Sequence, residues 1–279
     1  MKKKLFKWLK VLLIIYIIVG IALYYFQENL LFHPVPLAAG YAYHFPAPFA
    51  EATIPYDSAT DFNLVQFKLP SDTIVSVNAN KHGVGCKGVV LYFHGNRQNI
   101  NRYAPFAKNF TQNGYDVWMI DYPTFGKSTG KLSEQLLYDE ALQFYKLANA
   151  QFHSDSIIIY GKSLGTGIAA QLASTQKCKR LILETPYYSL VSMAKHYAWI
   201  YPVDYTAKYK IPTNEYFKRI TVPITVFHGT ADGVVPYSNA AKLKMVMKPV
   251  DEFITIENGT HNNLNDFPLF HQKLDSLLR

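Results

Sequence analysis

The chain has 279 residues, 49% hydrophobic and 17% charged, a globular composition that excludes a predominantly disordered protein. Its formal charge is +8, but five of the 28 lysines and arginines fall within the first ten positions, which leaves 23 basic against 20 acidic side chains. The rest of the chain is only slightly basic, so we expect no nucleic-acid partner.

The N-terminal segment is predicted to be a membrane anchor. Residues 11–26 are uncharged, and residues 5–26 approach the roughly 20 residues needed to cross a bilayer if Lys7 and Lys10 snorkel. No small-residue cleavage pattern follows, which favours an uncleaved anchor over a secretory signal. We therefore assign residues 1–32 to an anchor with a basic cytoplasmic tail. The lysines predict a single pass with a cytoplasmic N-terminus, and we expect a bacterial inner membrane with a periplasmic domain.

The next segments predict a linker and then an α/β domain. Residues 33–50 are rich in proline, alanine and aromatics and are predicted to be a linker onto a domain at 51–279. Residues 51–56 and 62–69 alternate in polarity, which suits an antiparallel edge pair. Continuous apolar runs, typical of strands buried on both faces, follow at 88–95, 115–123, 156–163, 180–186, 224–230 and 251–258. Because segments of helical pattern alternate with these runs, we predict a mostly parallel, doubly wound sheet of about eight strands.

One stretch, residues 187–222, interrupts this alternation. It is long, aromatic and interrupted by proline, and it falls between two predicted strands. An insertion at this point would pass over the carboxyl edge of the sheet, so we predict a lid there. Its aromatic side chains could bind an acyl chain, or they could serve only in packing or membrane contact.

Residues 161–165, Gly-Lys-Ser-Leu-Gly, follow a buried strand and open a helix of small residues. This G-x-S-x-G pattern is typical of a nucleophile elbow, a strained turn so tight that Gly161 and Gly165 must lack bulk. Ser163 is the candidate nucleophile. The pentapeptide alone fits a Gly-rich turn without catalysis equally well, so the hypothesis depends on finding partner residues.

Two later strand ends provide those partners. Asp232 and His261 each follow a buried run, in the order Ser, Asp, His that this elbow requires. His261 would take the proton of Ser163, and Asp232 would fix the tautomer of His261. Glu184 also ends a strand and is a rival acid, whereas Asp266 lies too close to His261 in sequence. We predict that Ser163, Asp232 and His261 are catalytic.

The oxyanion hole is expected from backbone groups. The N–H of Asn96, after the run 88–95, is predicted to act with the N–H of Leu164, and losing one such donor costs roughly 2.7–4 kcal/mol. His94 and His228 both precede a glycine at a strand end, and we interpret them as hydrogen-bonding loop residues rather than bases. No cysteine or histidine spacing typical of a metal site occurs in the sequence, and we predict no metal and no cofactor.

The segments FHGNRQN, DYPTFGKSTG, YGKSLGTGIAAQLA, FHGTADGVVP and GTHNN resemble, in chain order, the motifs of α/β-hydrolase-fold serine hydrolases. Among these the chain resembles membrane-anchored α/β-hydrolase-domain proteins of the serine aminopeptidase and acyl hydrolase type. Their N-terminal helix runs into a Q-x-x-L-x-F-x-P segment, here residues 27–34. The resemblance implies the α/β-hydrolase fold and acylglycerol, lysophospholipid or acyl-protein substrates. Lys162 and Thr166 depart from related elbows, and we expect them to narrow or charge the local surface.

The predicted function is a membrane-anchored serine hydrolase that cleaves a carboxylic ester or thioester of an acyl or lipid substrate through an acyl-enzyme. Its expected partners are that substrate and the lipid bilayer. A peptidase or amidase of the same fold is one alternative. A non-catalytic anchored binding or scaffold protein is another, although such a protein has no need of a complete triad. A non-hydrolytic member such as a haloperoxidase or lyase is a third.

Overall fold

The computed structural model describes residues 2–69 and 85–279; the range 70–84 of the predicted domain lies outside the described residues. The strands are β1 (His33–Pro34), β2 (Phe49–Asp57), β3 (Thr60–Phe67), β4 (Gly88–Phe93), β5 (Arg97–Gln98), β6 (Tyr115–Ile120), β7 (Ile157–Lys162), β8 (Arg180–Glu184), β9 (Ile224–Gly229) and β10 (Glu252–Ile256). The helices are α1 (Lys2–Leu31), α2 (Ile100–Tyr103), α3 (Lys108–Thr111), α4 (Glu134–Asn149), α5 (Leu164–Ala173), α6 (Leu190–Tyr197), α7 (Val203–Thr206), α8 (Thr213–Phe217), α9 (Tyr237–Ala240) and α10 (Pro268–Leu278).

The main sheet has eight strands in the order β10-β9-β8-β7-β4-β6-β3-β2. Strands β10 to β6 run parallel, and β2 and β3 form an antiparallel pair at the other edge. Alternate side chains of a strand enter opposite cores, so Val89, Leu91 and Phe93 pack on one face while Val90 and Tyr92 pack on the other. These two cores explain the continuous apolar runs, and the predicted doubly wound sheet of about eight strands is confirmed.

The ends and breaks of the helices have local causes. Ser133 caps α4, because its hydroxyl accepts the N–H of Leu136 at 3.1 Å. The helical stretch between β5 and β6 is divided into α2, a 3₁₀ turn at Ala104–Ala107 and α3. Pro105 is the second residue of that turn, and its missing N–H interrupts the helical hydrogen bonds at this point.

The segment predicted as a linker, residues 33–50, is packed against the domain. Strand β1 pairs in parallel with β5, and the N–H of His33 donates to the carbonyl of Asn96 at 2.8 Å. Phe32 and Tyr43 are both buried. The chain leaving α1 is therefore attached directly to the loop that follows β4.

Helix α1 is 30 residues long, and none of its residues is buried. Within residues 2–69 and 85–279 it is the one helix long and apolar enough to cross a membrane. At 1.5 Å per residue it measures about 45 Å, more than the roughly 30 Å of a hydrocarbon core. Part of α1 can therefore extend beyond such a core towards the domain.

Glu140, on α4, predicts a pH-dependent stability. It is fully buried, and neither carboxylate oxygen has a hydrogen-bond partner among the described residues. Burial, with a further contribution from the charge of Asp121, raises the pKa of Glu140 well above 4.5. Because the folded-state pKa exceeds the unfolded one, stability is full below about 4.5 and declines as the pH rises above it, by about 1.4 kcal/mol per pH unit up to the raised pKa.

We therefore expect Glu140→Gln to stabilise the domain more at pH 8 than at pH 5. The difference should exceed about 1 kcal/mol, or roughly 2–4 °C in Tm. Thermal unfolding at the two pH values measures it, with Glu257→Gln, an exposed carboxylate, as the control. An equal Tm change at both pH values would contradict the raised pKa.

Candidate active site

Ser163 lies at the turn between β7 and α5 with φ 52° and ψ −117°, a left-handed conformation that a serine seldom adopts. The turn tolerates no side chain at the flanking glycines. A Cβ on Gly161 would lie 2.5 Å from the carbonyl oxygen of Gly165, and one on Gly165 would lie 2.1 Å from that of Phe93. Close packing of β7, α5 and β4 thus holds this strained residue at the carboxyl edge of the sheet.

His261 and Asp232 reach Ser163 from the loops after β10 and β9. The Nε2 of His261 lies 2.8 Å from the Oγ of Ser163, and its Nδ1 lies 2.8 Å from the Oδ2 of Asp232. The Oδ1 of Asp232 accepts the N–H groups of Val234 and Val235, both at 2.8 Å. The three side chains predicted to be catalytic therefore form one continuous chain of hydrogen bonds.

The surroundings keep Asp232 ionised. Burial raises the pKa of Asp232. The hydrogen bond and charge of His261, together with the N–H groups of Val235 and Val234, lower it by more than burial raises it, so the pKa lies below 3.8. The stability that this carboxylate contributes is full above pH 3.8 and is lost as the pH falls through the lowered pKa. Burial also lowers the pKa of His228, whose Nε2 lies 3.7 Å from the Oδ2 of Asp232, so His228 is uncharged at pH 7.

His94 and His228, which were interpreted as hydrogen-bonding loop residues, each contact the carbonyl of the glycine that follows them. The Nδ1 of His94 lies 2.7 Å from the carbonyl of Gly95, and its Nε2 lies 3.2 Å from the Oδ1 of Asp121. The Nδ1 of His228 lies 3.0 Å from the carbonyl of Gly229. Both residues are fully buried; His94 follows β4, whereas His228 is the penultimate residue of β9 rather than a loop residue.

The rival acid Glu184 is engaged elsewhere. Its carboxylate accepts the ammonium of Lys162 and the hydroxyl of Tyr160. Lys162 is 5% exposed, so the expectation that it charges the local surface is wrong: Glu184 neutralises it beneath the elbow. The pairing register of β7 and β8 places Lys162 directly opposite Glu184. Knowledge that these two strands are neighbours would therefore have predicted the ion pair. Thr166 is also buried, and its hydroxyl donates to the carbonyl of Ser163 at 2.6 Å.

The two residues predicted for the oxyanion hole, Asn96 and Leu164, line the same cavity as Ser163 and His261. A Cβ on Gly95 would lie 3.6 Å from the Cβ of Ser163, so the loop after β4 passes beside the candidate nucleophile. The side chain of Asn96 donates to the carbonyl of Leu31, the last residue of α1, at 2.6 Å. This bond between α1 and the loop after β4 was not predicted from the sequence.

A cavity of about 1070 Å³ opens above Ser163 and His261. The loop after β4, residues 187–222, which we predicted to be a lid, and one face of α1 form its walls. The side chains contributed by α1 include Tyr16, Ile17, Ile21, Leu23 and Tyr24. Those contributed by the lid include Leu190, Met193, Ala194, Tyr197, Ala198 and Tyr201. The wall formed by α1 was not predicted, because hydrophobic length assigned residues 1–32 to an anchor separate from the domain.

Two comparisons of sequence show which known proteins this chain resembles. Residues 85–216 match the family described as serine aminopeptidase, S33. Alpha/beta hydrolase domain-containing protein 17C of Xenopus tropicalis is 28% identical over 199 residues, which is 69% of this chain and 61% of the relative. Lysophosphatidylserine lipase ABHD12 of Macaca fascicularis is 28% identical over 186 residues, 59% of this chain and 46% of the relative. The matched region thus spans about three fifths of the first relative and less than half of the second.

Solved structures match the fold over most of the chain. An esterase from Pyrococcus furiosus superposes with a TM-score of 0.65 and 16% identity, covering 89% of this chain and 97% of that one. A monoacylglycerol lipase from Paleococcus ferrophilus superposes with a TM-score of 0.56 and 18% identity, covering 78% and 98%. The architecture of the sheet and these likenesses agree with the motif series: the chain has the α/β-hydrolase fold and is similar to α/β-hydrolase-domain proteins.

Proposed function

We propose that this chain is a membrane-anchored serine hydrolase that cleaves carboxylic esters or thioesters of acyl lipids. One observation carries the proposal: Ser163, His261 and Asp232 are joined by hydrogen bonds at the floor of a large, mainly apolar cavity. Acyl transfer requires a nucleophile, a base and a group that orients the base, each within hydrogen-bonding distance of the next.

The proposed reaction begins when the Oγ of Ser163 attacks the acyl carbonyl and His261 Nε2 takes its proton. The tetrahedral oxyanion accepts the N–H groups of Asn96 and Leu164, and the N-terminus of α5 adds a favourable dipole. His261 then protonates the leaving group, and the acyl-enzyme is hydrolysed by water that His261 activates. Asp232, held ionised, stabilises the imidazolium in both halves of the reaction.

The lipid character of the substrate is supported by the surroundings of the site. The cavity is lined by aliphatic and aromatic side chains, which suit an acyl chain. Two of the similar proteins are named as lipases, one for lysophosphatidylserine and one for monoacylglycerol. Residues 5–26 of α1 would anchor the protein. The N-terminal lysines favour a cytoplasmic N-terminus, with the domain on the periplasmic side of a bacterial inner membrane.

A peptidase is the second candidate, favoured by the match to serine aminopeptidases. An aminopeptidase must hold the substrate's terminal ammonium, and a carboxylate is the usual partner for it. Among the described residues that line the cavity, none is acidic, whereas Arg97 and Arg102 are cationic. Charge therefore favours ester cleavage over removal of an amino-terminal residue.

The proposal predicts that a fluorophosphonate probe labels the folded protein at Ser163. We expect labelling of the wild type and its complete loss in Ser163→Ala, because only an activated serine reacts with such a probe. Ser174→Ala, at the end of α5, is the matched control and should retain labelling. Failure to label folded wild-type protein, or labelling that persists in Ser163→Ala, would overturn the proposal. Relative rates on acyl esters and aminoacyl anilides then separate the esterase from the peptidase.

A further inference from the structure

Helix α1 contacts the lid at two separate places. At the first, near its middle, the ring of Tyr16 stacks on that of Tyr201 with centroids 4.7 Å apart and planes at 5°. The Tyr16 hydroxyl donates to the carbonyl of Ile200 at 3.0 Å, and the Tyr201 hydroxyl donates to the carbonyl of Tyr16 at 3.3 Å. A Cβ on Gly20 would lie 3.0 Å from the ring of Tyr201, so a glycine on α1 permits this close approach.

The second contact is made by Gln27, further along α1 towards the domain. The side chain of Gln27 donates to the carbonyl of Thr206 at 3.3 Å and accepts the N–H of Lys208 at 2.7 Å. Between the two contacts, α1 lines the cavity that reaches Ser163. The cavity therefore continues from the candidate nucleophile into a gap between α1 and the lid.

The position of the first contact along α1 sets its depth in a membrane. If residues 5–26 span the bilayer, Tyr16 lies about 15 Å of helix below residue 26. That distance is about half of a hydrocarbon core, or one leaflet. The part of the lid that contacts Tyr16 must then lie within the leaflet nearest the domain.

The lid edge, residues 197–205, has a surface suited to that environment. Trp199 is 79% exposed and Tyr205 is 91% exposed, and Tyr197 and Ile200 are exposed as well. Exposed tryptophan and tyrosine are enriched where proteins meet the membrane interface. Asp204 at this edge is paired with Lys195, just before it in the chain, at 2.6 Å, and this pairing lowers the cost of moving both charges away from water.

We propose that the gap between α1 and the lid is an acyl-chain site that opens sideways into the leaflet nearest the domain. The lid edge is immersed in that leaflet, and a lipid resident in the bilayer slides its acyl chain along α1 to reach Ser163. The anchor is thus one wall of the substrate site as well as a tether. This inference rests on the proposed function and names the route and class of its substrate.

The depth of the lid edge can be measured without catalysis. Full-length protein with Cys86→Ser, and with Trp199→Cys labelled by a bimane fluorophore, is reconstituted in phosphatidylcholine vesicles containing lipids with a nitroxide on the acyl chain. The remaining Cys178 is buried, and burial raises its pKa to about 12, so it does not react with the label. Val250→Cys is the matched control. Val250 is 62% exposed and lies just before β10, at the amino ends of the parallel strands and therefore opposite the carboxyl edge that carries Ser163.

We expect at least a twofold greater nitroxide quenching at position 199 than at position 250. Equal quenching at the two positions would overturn the immersion of the lid edge. Because the readout needs no turnover, it is independent of the probe labelling of Ser163 that tests the proposed function.

The acyl site itself is tested by narrowing the gap. Ala198 lines the cavity, and Ala198→Trp should lower the ratio of kcat/KM for a p-nitrophenyl palmitate to that for the acetate by at least tenfold. Ala150→Trp, exposed after α4, is the control and should leave the ratio at the wild-type value. A ratio unchanged in Ala198→Trp would place the acyl chain elsewhere and overturn the site.

Discussion

Replacing Asp232 by asparagine is expected to lower kcat about 10⁴-fold while the fold and KM change little. In the wild type, the ionised Asp232 accepts a hydrogen bond from the Nδ1–H of His261, which leaves Nε2 without a proton and able to take the proton of Ser163. An asparagine would turn its NH₂ group towards Nδ1 and its oxygen towards the N–H groups of Val234 and Val235. The ring proton would then occupy Nε2, and His261 could no longer act as the base.

Steady-state kinetics on a soluble ester measures the loss. Asp251→Asn is the matched control, because the carboxylate of Asp251 also accepts two backbone N–H groups, those of Ile224 and Lys248. Asp251 lies just before β10, away from the site. Both variants should show similar Tm changes, and only Asp232→Asn should lose turnover. A small kcat effect in Asp232→Asn would mean that another group orients His261.

The sequence was sufficient to predict the sheet and the three residues of the hydrogen-bonded chain. Both depend on local patterns, since each buried strand is a continuous apolar run and each candidate side chain follows such a run. Strands β7, β8, β9 and β10 are neighbours in the sheet, so their carboxyl ends gather Ser163, Asp232 and His261 at one edge. That the three side chains lie close together followed from this general rule for parallel sheets and not from any local sequence pattern.

The contacts of α1 and of the segment that follows it could not be predicted in this way. The bond from Asn96 to Leu31, the stacking of Tyr16 on Tyr201 and the packing of residues 33–50 join segments far apart in the chain. Hydrophobic length marks residues 5–26 as a membrane span but does not say which face of the helix meets a domain. In similar sequences, a glycine within an apolar span, such as Gly20 here, would indicate the face of the helix that another segment approaches closely.

The ion pair between Lys162 and Glu184 is expected to have the largest effect on stability. Both side chains are almost fully buried, at 6% and 1% exposure, and they lie beneath the strained elbow. Removing one member of such a pair leaves the other charge buried without its partner, which typically costs about 3–5 kcal/mol. Lys162→Met should therefore lower the Tm of the domain by roughly 6–20 °C.

The double variant Lys162→Met/Glu184→Gln isolates the cause of that loss. Without the buried charge, and with a Gln oxygen still able to accept the Tyr160 hydroxyl, most of the stability should return. Lys218→Met is the control for removing a lysine, because its pair with Glu215 is 52% exposed on both sides and should contribute less than about 1 kcal/mol. Urea unfolding of the full chain in detergent compares the four proteins. If the double variant is as unstable as Lys162→Met, the loss comes from the packing of the lysine chain near Phe106 rather than from the unpaired charge.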